Sequence, residues 1–145
     1  MNVLIFAFTL CLSFHYSLAG CDGGWSPVGT RCCKMQQNRV SWTVHNILCL
    51  IDGGRLFSIH TQEENEELRA FTASTDVFLG GACYGPFGAQ WTWSDGSSFG
   101  YSNWAGGVNS LPSIEKPCIR FNAQGQWEPQ CCGEQLIPAV CYRVI

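Results

Sequence analysis

The sequence predicts an α+β domain stapled by disulfides, and three observations carry that expectation. Helical patterning is confined to the first half of the chain. Short strand-like runs without helical period follow residue 77. Cysteine is dense enough to imply folding in an oxidising compartment.

Residues 1–19, M-N-V-L-I-F-A-F-T-L-C-L-S-F-H-Y-S-L-A, contain no Asp, Glu, Lys or Arg. The apolar run is too short to span a bilayer and ends in Ser17-Leu18-Ala19, which suits a cleavage site. It is therefore expected to be a secretory signal that leaves residues 20–145 as one extracellular domain. The formal charge of −3 is small, and Lys and Arg are scattered singly from Arg31 to Arg143. A nucleic-acid partner is excluded on that pattern. No repeat, low-complexity linker or long charge run divides the remainder.

Of the 10 cysteines, Cys11 lies in the expected signal, and Cys21, Cys32, Cys33, Cys49, Cys83, Cys118, Cys131, Cys132 and Cys141 remain. Such a set reads as a disulfide framework, and its odd count leaves at least one thiol free or joined to another chain. Structural zinc is disfavoured, because no C-x-x-C pair occurs and only His45 and His60 follow the signal. The doublet Cys131-Cys132 cannot close on itself without straining both the disulfide and the peptide bond, so each sulfur must reach elsewhere.

Along the domain, C-D-G-G-W-S-P-V-G-T-R-C-C is a turn-rich opening. Val40, Val44, Ile47 and Leu48 fall on one helical face, and Gly53-Gly54 ends that helix. R-L-F-S-I-H is strand-like. In T-Q-E-E-N-E-E-L-R-A-F, Thr61 and Glu64 form a capping box, and Glu63, Glu64, Glu66 and Glu67 crowd the positive end of a second helix. That dipole accounts for the acidic cluster without a calcium ion. V-F-L-G-G, W-T-W, C-I-R-F, G-Q-W and A-V-C-Y-R-V are strand candidates. A long Gly-, Ser-, Asn- and Pro-rich loop between W-T-W and C-I-R-F is where function is expected.

G-S-S-F-G, residues 96–100, matches the letters of a nucleophile elbow, but no histidine follows His60. Gly96 and Gly100 are better read as turn residues, and no catalytic residue is assigned.

Taken in order, C-D-G-G-W…C, Trp42 with Cys49, G-G-R-L-F-S-I-H, F-L-G-G, W-T-W-S-D-G-S and Y-S-N-W resemble the anchors of the C-type lectin-like domain. The likeness covers residues 21–143. It implies two helices packed on short antiparallel sheets, a long loop region, and bridges Cys21–Cys32, Cys49–Cys141 and Cys118–Cys132. G-G-A-C ahead of W-T-W-S-D-G resembles fish type II antifreeze proteins of the same fold. These carry an additional bridge from that position, so Cys83–Cys131 is the expected fourth pair. Cys33 then serves either a disulfide-linked homodimer or a buried free thiol.

In sugar-binding members one calcium ion is held by a Glu-Pro-Asn or Gln-Pro-Asp triplet, a following Glu, and the Asn-Asp of Trp-Asn-Asp. Here the triplet falls on Val108-Asn109-Ser110, Glu115 sits one residue out of place, and Trp127-Glu128-Pro129 replaces the last motif. Too few carboxylates remain for an ion that wants six to eight oxygens, so weak or absent calcium binding and no cofactor are expected. Asn109, Ser110, Glu115, Gln126 and Glu128 are the candidate ligand-binding residues. Asn103, Asn122 and Gln124 offer further amides. Trp91 is the ring freest to meet a ligand, whereas Trp93, Trp104 and Trp127 match core positions.

The resemblance implies a secreted protein of the compact single-domain type found in fish secretions, recognising glycans or glycoproteins without the usual calcium site. Ice binding and a protein-binding role of the kind found in venom relatives are the alternatives.

Overall fold

The computed structural model describes residues 20–83, 90–107, 109–134 and 136–145. The expected signal and Val108 lie outside the described residues.

The chain opens with an antiparallel hairpin, β1 (Ser26–Val28) and β2 (Arg31–Val40), turned at Gly29. Helix α1 (Trp42–Ile51) follows, and its N-cap Ser41 hydroxyl accepts from the Val44 N–H. Sequence patterning put Val40, Val44, Ile47 and Leu48 on the inward face. The structure instead buries Trp42, His45 and Cys49, leaves Val44 and Ile47 exposed, and places Val40 at the end of β2. The aliphatic period misled because the buried face is set by an aromatic ring, an imidazole and a disulfide. Asp52 caps the helix, Gly53 adopts φ +80°, and Gly54 N–H donates to Cys49 O at 2.8 Å. A Cβ on Gly54 would stand 2.6 Å from Tyr142 O and 2.7 Å from the Trp25 ring, so only glycine fits.

Strand β3 (Arg55–Leu56) leads to α2 (Gln62–Thr72). The Thr61 hydroxyl accepts from Glu64 N–H at 3.1 Å, while the Glu64 carboxylate accepts from His60 N–H at 2.6 Å. The expected capping box is therefore built with its return bond one residue further upstream. Strands β4 (Val77–Cys83), β5 (Trp91–Trp93), β6 (Cys118–Phe121), β7 (Trp127–Gln130) and β8 (Ile137–Val144) complete the sheet.

The main strand order is β1-β2-β8-β4-β6-β7, with β3 on β8 and β5 on β4. Pairing is antiparallel except where Phe78 of β4 meets Ala139 of β8 in parallel. β2 was not foreseen, because K-M-Q-Q-N-R is polar and only half covered, yet it pairs with β8 from Arg31↔Val144 to Val40↔Ile137.

Three bridges join Cys21 to Cys32, Cys49 to Cys141 and Cys118 to Cys132. The second spans 92 positions and ties α1 to the last strand, worth about 4 to 5 kcal/mol in the chain-entropy model. The third closes a separation of 14 under the long loop, worth about 3 kcal/mol on the same basis.

Cys83 and Cys131 are not joined, contrary to expectation. Ala82 pairs with Cys118 and Cys118 with Gln130, and Cys83 N–H donates to Pro117 O, so the two cysteines stand on either side of strand β6. Two strand spacings hold their α-carbons about 10 Å apart, beyond the roughly 7 Å limit of a disulfide. Cys33 is fully buried, and burial pushes its thiol up to about 12. Of the two readings left open for Cys33, the fold supplies the buried free thiol.

Candidate functional site

Trp127, the first residue of β7, organises the half of the molecule that carries the long loop. It is fully buried, and its indole N–H donates to Asn65 Oδ1 of α2 at 2.8 Å. Asn65 Nδ2 in turn donates to Gly125 O at 2.9 Å. Trp93, Phe99, Tyr101 and Trp104 meet the Trp127 ring edge-on at centroid distances between 5.5 and 5.9 Å. Each such contact adds roughly 0.5 to 1.5 kcal/mol beyond burial. Three points of the loop and the end of β5 are thus fixed to one ring.

A second anchor lies where the loop leaves β5. The Asp95 carboxylate accepts from the Ser58 hydroxyl, the Tyr142 hydroxyl, the Ser97 hydroxyl and, at 2.9 Å, the Ser97 N–H. Burial raises the Asp95 carboxyl, but these four donors outweigh it and hold it below the usual carboxylate range. Burial and the Asp95 hydrogen bond push the Tyr142 phenol up to about 12. Asp95 was read from sequence only as one letter of W-T-W-S-D-G-S. An acid between a serine and a glycine, two residues after a tryptophan and followed by serines, is the signal that could have singled it out.

His60 Nε2 also lies 3.1 Å from Ser58 Oγ, which brings a histidine, a serine and an aspartate into contact. The order is wrong for nucleophilic catalysis: Ser58 gives its proton to Asp95, and the serine is 1% exposed. G-S-S-F-G forms no strand-to-helix turn. Gly96 sits at φ +80°, residues 97–104 are not helical, and the Phe99 ring stacks on Trp93 at 4.8 Å.

The long loop and β5 enclose a hollow of about 890 Å³. Its floor is Trp91, Trp104 and Phe99, and Leu111, Pro112 and Ile114 form one side. Trp91 is 8% exposed, packs on Trp104 at 5.2 Å, and donates its indole N–H to Ser110 O at 2.8 Å. Ring and loop are therefore locked together, and the floor is preformed. Asn109, Ser102, Ser113 and Gln90 bring neutral polar groups to the lining, and among the described residues no charged side chain lines it.

Asn109 and Ser110 meet in this hollow, whereas Glu115, Gln126 and Glu128 do not line it. Glu115 is exposed on the loop, and Gln126 is exposed at the β6–β7 hairpin. Asn122 is occupied in building that hairpin, its Oδ1 accepting from Gln124 N–H at 3.0 Å and Gln126 N–H at 2.9 Å. Asn103 Nδ2 donates to Gly125 O at 2.7 Å. These two amides are scaffold.

Glu128 lies opposite Arg120 in the β6–β7 pair, and its Oε2 accepts from Arg120 Nε at 2.9 Å and from Nη2. Arg120 also stands 3.7 Å from the Asp76 carboxylate. At the position of the family's metal motif, the acid is thus neutralised by a guanidinium, and the next residue, Pro129, has no side-chain donor. The residues present do not fit a calcium ion. Among the described residues, no group of three or more His, Cys, Asp or Glu is arranged for a metal, and no helix is long and apolar enough to cross a membrane.

A sheet flanked by two helices, a long loop that ends at the Cys118–Cys132 bridge and a Trp127-centred loop base define a C-type lectin-like domain. The chain belongs to that family, whose profile, described as Lectin C-type domain, matches residues 38–143. Among curated relatives, the type-2 ice-structuring protein of Hemitripterus americanus is 37% identical over 84 residues, covering 58% of this chain and 50% of the relative. Ladderlectin of Oncorhynchus mykiss is 32% identical over 119 residues, covering 78% of this chain and 63% of the relative. The chain thus spans between half and two thirds of the length of these relatives. Among solved structures, the cow carbohydrate-recognition domain of CD23, determined in the presence of a GlcNAc2Man3 oligosaccharide, superposes with a TM-score of 0.76 at 25% identity. That match covers 86% of this chain and 96% of the other.

Proposed function

We propose that this protein is a secreted, non-enzymatic lectin that binds glycans or glycoproteins without the calcium site usual in its family. The observation that carries this reading is the Arg120–Glu128 pair beside Pro129, which leaves the metal position with a neutralised acid and an imide. Binding then falls to the neutral hollow, which Trp91 and Trp104 line from the core and where Asn109, Ser102 and Ser113 offer amide and hydroxyl groups. The lectin relative and the neighbour determined in the presence of an oligosaccharide support the ligand class. Glycan-array binding or haemagglutination with the purified protein tests it. Binding is expected at equal strength in calcium and in EDTA, and binding abolished by EDTA refutes calcium independence. Absence of binding to any glycan refutes the lectin reading.

Ice binding is a second reading, favoured by the 37% identity to an ice-structuring protein. Thermal hysteresis measured on the same preparation decides between them.

A further inference from the structure

Beyond a sugar, we propose that the hollow takes a hydrocarbon group: its natural ligand is a neutral amphiphile whose apolar part lies against Trp91, Trp104 and Phe99. This deepens the proposed function and rests on the hollow being a binding site, although not on its occupant being a saccharide.

Four observations lead there. First, Leu111 is 81% exposed and Ile114 is 97% exposed, both on one loop and both facing the hollow's lining. Large aliphatic side chains left in water beside a concave aromatic floor mark a surface that is covered in use. Second, among the described residues the lining holds no charged side chain, and Glu115 and Lys116, which follow Ile114 in sequence, are of opposite sign and do not line the hollow. An anionic or cationic ligand would lose its hydration there without gaining a partner, so the bound body is neutral. Third, the size, about 890 Å³, lies in the range that encloses a small molecule rather than a flat protein surface. Fourth, the floor is held before any ligand arrives, by the Trp91–Ser110 hydrogen bond and the Trp91–Trp104 contact, so little ordering opposes binding. The neutral polar groups of Asn109, Ser102 and Ser113 suit the head of such a molecule.

The test is a chain-length series. Affinities of n-alkyl β-glucosides from methyl to octyl, below their micelle-forming concentrations, and of 1-alkanols over the same lengths are measured by calorimetry and tryptophan quenching. Each methylene that enters the hollow is expected to raise affinity about fourfold, with a plateau once the hollow is full. Ile114→Asp and Leu111→Asp, at positions too exposed to matter for folding, are expected to reduce octyl glucoside affinity at least tenfold with an unchanged circular dichroism spectrum. A flat series in both families overturns the proposal, as does a rising series that neither variant weakens, because the apolar contact is then elsewhere. Rising series in both families support it. Glycosides binding no better than alkanols of equal length would leave the apolar assignment standing and count against the saccharide reading, which the glycan array tests separately.

Discussion

Replacing Asp95 by Asn is the sharpest test of how the long loop is anchored. The change is nearly isosteric, so packing is preserved and only hydrogen-bonding capacity is altered. The remaining amide oxygen can still accept from Ser97 N–H and Ser97 Oγ. The NH2 group, however, now faces the Ser58 and Tyr142 hydroxyls, which have lost their acceptor. Ser58 can accept from the new amide only by redirecting its own hydroxyl hydrogen, and His60 Nε2 at 3.1 Å can take that hydrogen only when it carries no proton itself. Two bonds to a charged acceptor are lost, each worth roughly 1.5 to 3 kcal/mol, and partial solvent access to Asp95 places the total near the lower limit, about 3 kcal/mol. For a domain of this size that lowers Tm by about 10 to 15 °C. The assay is chemical denaturation of both proteins across pH 2 to 7. The Asp95 carboxyl is held below its ordinary 3.8 in the fold, so its contribution is complete above pH 3.8 and is lost as pH falls through the lower folded value. The stability gap between wild type and variant should therefore be constant near neutrality and close in acid. A gap under 1 kcal/mol, or one that persists unchanged at the acid end, would refute the reasoning.

Two further outcomes follow from buried groups. His45 is fully buried, donates its Nε2–H to Ile137 O, and is held below its ordinary 6.5 mainly by desolvation. The unfolded chain takes up this proton near pH 6.5 and the native chain does not, so wild-type stability should fall by up to about 1.4 kcal/mol per pH unit as pH drops below 6.5. That limb should be absent from His45→Gln in denaturant titrations, and parallel profiles would disprove it. Iodoacetamide on the native protein, read by peptide mapping, should modify the half-buried Cys83 and Cys131 and spare Cys33 until the chain is unfolded. Native labelling of Cys33, or a reductant-sensitive dimer that a Cys33→Ala variant abolishes, would show that the buried-thiol account is wrong.

Much of the fold was legible in the sequence, because its signals are local or covalent. The capping box at Thr61, the stop at Gly53-Gly54 and the short β-branched and aromatic runs from Val77 onward each state their structure within a few residues. Strand β2 was not legible, since its polar middle is defined by a partner, β8, about a hundred positions away. The inward face of α1 was misjudged for a related reason: His45 and Cys49 face inward because of Ile137 and Cys141, which no helical period reveals. At the site, Asn109 and Ser110 could be picked out as neutral loop groups. Glu128 looked like a surviving ligand until Arg120 was seen across the strand pair, and that pairing depends on hairpin register. Leu111 and Ile114 drew no notice, because exposure belongs to the folded state alone.

The loss of the metal motif has a structural consequence as well as a chemical one. An ion held jointly by the long loop and by the segment after the β7 tryptophan would fasten those two elements to each other. Here ordinary protein contacts do that: Trp127 N–H donates to Asn103 O at 2.8 Å, Trp104 forms a bridge with Trp127, and Asn103 and Asn65 both donate to Gly125 O. None of these groups titrates near neutral pH or depends on calcium concentration. A loop fastened in this way keeps its hollow in conditions that would release one held by an ion. The exchange also alters what the hollow prefers: an ion recognises vicinal hydroxyls through charge, whereas tryptophan faces and loop amides recognise shape and apolar area. On the two proposals made above, the Arg120–Glu128 pair beside Pro129 and the aliphatic side chains that rim the hollow would favour the same kind of ligand, one that is neutral and partly apolar.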